Sequence, residues 1–191
     1  MSKYTRAIIA GFAAAAVMTL LMSFVFEGVT PYIYGIFTGA FVAYIFGNLA
    51  GNRKVATVDA AEKDAALALQ PPPGKALLVV FREGFVAKLA GLNIAVDGKE
   101  FAQLTAPRFT VVSLAPGAHT LTCGFGGLAG PQSKPGTYAF EIAAGGVAAV
   151  GIGVAMGAIR GSMTFTPISD TDAMRAKLSR MPMVKAEPAE V

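Results

Sequence analysis

His119 is the only histidine of the chain and Cys123 the only cysteine, and both fall in the run AHTLTCGF at 118–125. In an extended strand that spacing sets the two side chains on one face but ~13 Å apart, out of hydrogen-bond reach, so they make no nucleophile–base pair. One histidine also leaves a common zinc set or a Ser-His-Asp triad undersupplied. His119 is read as a structural or surface residue beside the Pro116-Gly117 turn. Cys123, in an apolar stretch, is read as a buried thiol; alone it closes no internal disulfide and says nothing of redox compartment.

The remaining polar residues give no assembled chemistry. Gly124, Gly126 and Ala129 mimic a dinucleotide fingerprint, but Pro131 forbids the helix that must follow, and no βαβ unit surrounds them. Asp97 and Glu100 are read as solvated turn carboxylates. Arg82, Glu83 and Arg160 are the charged residues nearest apolar strands. The expectation there is an ion pair of Arg82 or Arg160 with Glu141, with anion binding as the sharper alternative. No residue is assigned a catalytic, cofactor-binding or metal-binding role, and the expected class is non-enzymatic.

These residues lie in a stretch patterned for short strands. ALLVVF (76–81) and LNIAV (92–96) are strands, and Asp97-Gly98 then predicts a type I′ hairpin turn, whose central positions need positive φ. A return strand follows from Lys99 to Leu104, then RFTVVSL (108–114), the turn Ala115-Pro116-Gly117, AHTLTCGF, a Gly/Pro-rich loop over 126–136, and TYAFEIA (137–143). Residues 143–161 are read as a strand because Val150, Ile152, Val154 and Met156 alternate with small residues; a third membrane helix is the alternative. SMTFTPIS from Ser162 is its partner, and Asp170 caps a last helix, TDAMRAKLSRM. The pattern predicts an antiparallel β-sandwich over 74–181 with a short C-terminal helix, and a disordered polar tail over 182–191. Ahead of it, residues 55–73 read as a helical spacer, capped by Thr57 or Asp59, and a Pro-rich linker ended by Pro71, Pro72 and Pro73.

The first part of the chain, residues 1–54, is of another kind. No Asp, Glu, Lys or Arg lies between Arg6 and Glu27 or between Glu27 and Arg53, and each run is about the ~20 apolar residues that cross a hydrocarbon core. Helices at about 7–26 and 32–50 are expected to fold into a transmembrane hairpin. Each carries a ridge of small residues four apart: Ala7, Gly11, Ala15, Thr19 and Ser23 on the first, Gly35, Gly39, Ala43, Gly47 and Gly51 on the second. Such ridges let backbones approach in lipid. They either close the hairpin or, at Gly35 and Gly39, face a second copy or another subunit. The whole is then an α+β membrane protein.

Basic residues set the expected orientation. Lys3 and Arg6 precede the first helix, Arg53 and Lys54 follow the second, and the turn between has only Glu27. The positive-inside rule places both ends, and the sandwich, in the cytoplasm as part of a multi-pass inner-membrane protein; a periplasmic sandwich behind a secretory signal is the alternative. A hydrophobic content of 54% with 15% charged residues suits that class. The net charge of +4 gathers at the membrane flanks, and no basic stripe interleaved with aromatics appears, so nucleic acid is excluded as a partner.

Taken together, QPPPGKALLVVFREG, IAVDGKEFAQL, RFTVVSLAPGAHTLTC and TYAFEIAAGGVAAVGIGVAMGAIRG resemble the bacterial domain of unknown function 2846, a β-sandwich module often found in envelope lipoproteins. VDGK through LAPGAHTL is also similar to PEGA-type repeats, with Leu-Ala-Pro-Gly where those read Pro-Glu-Gly-Ala. The resemblance spans about 70–178 and implies a sandwich in the bacterial envelope. This chain departs from it in placing two apolar helices where a lipidated cysteine is expected. The expected function is a membrane-anchored interaction module whose partners are the lipid bilayer and a protein or second copy. The alternative is an accessory subunit of an envelope or transport complex.

Overall fold

The computed structural model describes residues 2–126, 130, 133–155 and 161–187, which divide into two compact units, Met1–Asn52 and Arg53–Val191. In the first, α1 spans Lys3–Ser23 and α2 spans Thr30–Leu49. Both are long and apolar enough to cross a membrane. The sequence pattern placed α1 a few residues late, because an uncharged run does not reveal its cap. The Ser2 side chain accepts from the Thr5 amide and starts the helix, while Gly28, at φ +71°, turns the chain after it. Pro31 sits in the first turn of α2, where its missing N–H costs nothing. The two small-residue ridges meet each other. A Cβ built on Gly39 would lie 2.7 Å from both the Ala15 Cβ and the Gly11 carbonyl oxygen, and one built on Gly11 would lie 2.7 Å from the Ala43 Cβ. Gly35 and Gly39 lie against Thr19, Ala15 and Gly11 of α1 within the hairpin.

The second unit holds eight described strands and two short helices. After α3 (Ala60–Leu67) come β1 (Ala76–Arg82), β2 (Leu92–Val96), β3 (Lys99–Leu104), β4 (Arg108–Leu114), β5 (Gly117–Phe125), β6 (Gly136–Ile142), β7 (Val147–Ala155), β8 (Ser162–Ile168) and α4 (Thr171–Ser179). They form two four-stranded sheets, in the orders β4-β1-β7-β8 and β3-β2-β5-β6. Asp97 and Gly98 both take positive φ, 51° and 81°, in the turn joining β2 to β3, as the dipeptide predicts. Val147–Ala155 is a strand, not a membrane helix; Met156, Gly157 and Arg160 lie outside the described residues. The sheets are not wholly antiparallel, since β1 and β7 pair in parallel. A parallel pair needs a crossover, and the chain from β2 to β6 supplies it: β2, β3, β5 and β6 build the other sheet, while β4 returns to pair with β1.

Strand β1 is buried along its whole length because both its faces are covered. Leu78 and Val80 point into the core between the sheets with Ile94, Phe101 and Leu121. Val79 and Phe81 lie beneath Leu67, Met174 and Leu178 of α3 and α4. Residues 55–73 are therefore a helical layer of the sandwich unit and not a free spacer: α3, capped by the Asp59 side chain, is mostly alanine on its face, yet Leu67 and Leu69 give it enough apolar area to dock.

The expected disorder over 182–191 is also corrected as far as Glu187; residues 188–191 lie outside the described residues. Val184 N donates to the Phe109 carbonyl, Lys185 N to that of Ala56 and Glu187 N to that of Phe101. This segment covers the open edges of β4 and β3, which would otherwise present unpaired backbone groups. The lysine and glutamates of its sequence mask the two apolar residues that matter, Met183 and Val184, the latter 0% exposed. Val184→Ala is expected to lower unfolding stability by about 2 kcal/mol, measured from the urea midpoint of the β-sheet signal; no shift would mean that the segment does not pack.

Candidate functional site

Period-two alternation sets Arg82 on the same face of β1 as Leu78 and Val80, so its side chain enters the end of the inter-sheet core. It is 0% exposed. One guanidinium nitrogen donates to the Leu104 carbonyl at 2.8 Å and to the Ala90 carbonyl, the other to the Ala87 carbonyl at 2.7 Å. The guanidinium also lies 5.2 Å from the Phe125 ring centroid. Arg82 does not pair with Glu141, which is exposed on β6, an edge strand of the other sheet, and among the described residues no carboxylate forms an ion pair with Arg82 in its place. Burial pulls the Arg82 pKa down to about 10, and among the described residues its Nε has no hydrogen-bond partner. Its acceptors are the loop from Glu83 to Gly91 and the end of β3, so Arg82 acts as a plug that ties down that loop. Arg160, the other candidate, lies outside the described residues.

Of the neighbouring groups, Glu100 departs from its expected solvated state and Cys123 is buried as expected. Glu83 pairs with Lys177 of α4 at 2.7 Å, and Glu100, read as a solvated turn carboxylate, pairs with Arg53. Cys123 is buried, and burial raises its thiol to about 11 despite the Arg82 charge nearby. A thiol so poorly ionised is an inert core residue. Gly124 belongs to β5, while Ala129 and Pro131 of the dinucleotide-like run lie outside the described residues.

Asp97 is the residue whose partner sequence spacing could not reveal. Its backbone N–H donates to the Thr120 carbonyl, which brings the β2–β3 turn against β5. There Asp97 Oδ2 lies 2.6 Å from His119 Nδ1, while Thr120 N donates to Oδ1 at 2.8 Å. His119 Nε2 lies 2.8 Å from the Ala115 carbonyl. A carbonyl can only accept, so Nε2 carries a proton. When Nδ1 is also protonated it donates to the carboxylate, which the Thr120 amide fixes, so this geometry favours the imidazolium form. Both ring nitrogens are thus engaged within the sandwich unit. Its side chain, 8% exposed, staples the hairpin turn to the β4–β5 corner.

The hydrogen bond to Asp97 raises the His119 pKa above 6.5, and the bond to His119 lowers that of Asp97. The histidine contribution to stability is then full below pH 6.5 and is lost as pH rises through its raised folded value. The carboxylate contribution is lost as pH falls through its depressed value. A proton NMR titration of the His119 ring should find a midpoint above 6.5, and Asp97→Asn should bring it back to or below that value. An unshifted wild-type midpoint would refute the pairing.

Among the described residues no group of three or more His, Cys, Asp or Glu could hold a metal ion. No protein-family model matches the chain, and no curated protein matches it.

Proposed function

We propose that the chain is a non-enzymatic module of the bacterial inner membrane, anchored by the α1–α2 hairpin and carrying a β-sandwich for protein interaction. One observation carries the anchor: the hairpin is apolar on its outside. Phe12, Leu20, Ile36, Phe37 and Phe41 are exposed, while Gly35, Gly39 and Gly47 are buried. Water-soluble helix pairs bury the large residues and expose polar ones; lipid permits the reverse. The interaction role is supported by the state of the polar groups: His119, Asp97, Arg82 and Cys123 are each committed to holding the sandwich together. The resemblance to the envelope sandwich module points the same way. Both flanks of the hairpin are basic, which favours a cytoplasmic sandwich. The test is fractionation of cells expressing the full chain. Sedimentation with membranes, resistance to alkaline carbonate and release by mild detergent together with a stoichiometric partner are expected. Recovery in the soluble fraction would overturn the anchor, and a compartment-sensitive reporter after Val191 active only outside would overturn the orientation.

A further inference from the structure

Outside the hairpin, Phe85 and Leu89 are the only large apolar side chains that stand exposed among the described residues, at 83% and 60%. Both belong to the loop from Glu83 to Gly91, and that loop is built, not slack. Arg82 fixes its Ala87 and Ala90 carbonyls, the Ala106 amide donates to the Lys88 carbonyl at 3.0 Å, and Ala87 is held at φ 51°. A frame that spends a buried guanidinium on a loop keeps its apolar tips outward at little further ordering cost on binding.

We propose that this loop is a second membrane contact, in which Phe85 and Leu89 enter the interfacial layer of an anionic bilayer and Lys88 meets its headgroups. The inference rests on the membrane reading given above and extends it from the hairpin to the sandwich.

Two observations select lipid as the occupant. The first is where the sandwich begins. The Arg53 amide donates to the Gln103 side chain at 2.6 Å, and that side chain lies against Gly91, the end of the loop. Only Ala50–Asn52 separate Arg53 from the end of α2 at Leu49, a reach of at most roughly 15 Å. A bilayer crossed by α2 is therefore within reach of the loop, and tethering makes the contact intramolecular. The second is charge. Lys88 is joined at this end of the sandwich by Arg108, opposite Arg82 in the sheet register, and by Lys134, just before β6. Glu83, the acidic residue here, is neutralised by Lys177. The far end is mixed in sign, with Asp97, Glu141 and Asp170 beside Lys75 and Lys99, whereas the loop end has no acidic side chain free of a basic partner among the described residues. An aromatic and a leucine beside basic side chains that have no carboxylate partner among the described residues match an anionic interface; the Lys88 ammonium itself lies 5.5 Å from the Phe85 ring centroid, so the two side chains present one amphipathic tip.

The full chain carrying an environment-sensitive fluorophore on Phe85→Cys is reconstituted into phosphatidylcholine vesicles with roughly one-third phosphatidylglycerol. Cys123, being buried, stays unlabelled. Labels on Glu141→Cys, at the far end, and on Phe41→Cys, in α2, serve as controls. A shallow nitroxide lipid is expected to quench the position-85 label by about half, with blue-shifted emission and weak quenching by aqueous iodide. The position-141 label should show the opposite. Replacing the anionic lipid, or introducing Lys88→Glu, should weaken lipid quenching at position 85. If the position-41 label is quenched by lipid while position 85 behaves like position 141, the loop contact is wrong and the anchor stands. If position 85 is shielded from both quenchers, a protein covers the loop and the lipid assignment fails. If position 41 is also open to iodide, the anchor fails and the loop contact with it.

Discussion

Gly39→Val should separate the two N-terminal helices. Its new Cβ would meet the Ala15 Cβ and the Gly11 carbonyl oxygen, each at 2.7 Å. Neither can swing away as the end of a flexible chain could, so the helix axes must move apart along the whole seam. Overpacking a tight contact costs about 1 to 3 kcal/mol, occasionally more. Here the loss spreads, because Gly11, Ala15, Gly35 and Ala43 share the same close approach; we expect about 3 kcal/mol. Titration of the full chain from mild detergent into a denaturing one, followed by helix signal and by interhelical cross-linking, should show an earlier transition and lost cross-links. Phe37→Leu, at an exposed position of α2, should leave both unchanged. If Gly39→Val keeps the wild-type transition but lowers oligomeric mass, the ridge serves another copy after all.

Arg82→Met sets two opposed effects against each other. Removing the guanidinium abolishes the cost of burying a charge, which is why replacement of buried ionic groups by apolar ones is often neutral or stabilising. It also strips three backbone carbonyls, those of Ala87, Ala90 and Leu104, of their donors. A buried acceptor left without a partner costs about 1 to 3 kcal/mol. The Leu104 bond is fully buried, whereas the two loop carbonyls can partly rehydrate if the loop opens. The carbonyls should win: about 3 kcal/mol of lost stability in urea, with the Glu83–Gly91 loop released and cleavage by trypsin after Lys88 accelerated. Arg82→Lys should recover less than half, since an ammonium is a compact donor and cannot span three acceptors. Full stability in Arg82→Met would show that desolvation of the charge dominates and that the loop holds itself.

The sandwich was legible in the sequence where local chemistry is decisive. The Asp97-Gly98 turn, the Asp59 and Asp170 caps and the strand alternation of 147–155 each depend on a few neighbouring residues, and each lies where the pattern puts it. What failed to show were relations across the fold. Asp97 and His119 are remote in the chain and meet because β2 and β5 are neighbours in one sheet. The segment after Pro182 reads as a polar tail until the edges of β3 and β4 are there to receive it. The parallel pairing of β1 with β7 has no local signature at all.

Two apolar stretches free of charge, a set of turn dipeptides and a period-two pattern are properties of the chain itself, and they determined a helical hairpin followed by a β-rich unit. The tertiary structure alone decided that the small ridges face each other, that Arg82 points inward to hold a loop, and that both ring nitrogens of His119 are engaged. The reason is physical: hydrophobic periodicity and turn propensity act over a few residues, whereas the partner of a polar group is chosen by sheet order and by whichever acceptor the packed core leaves unsatisfied.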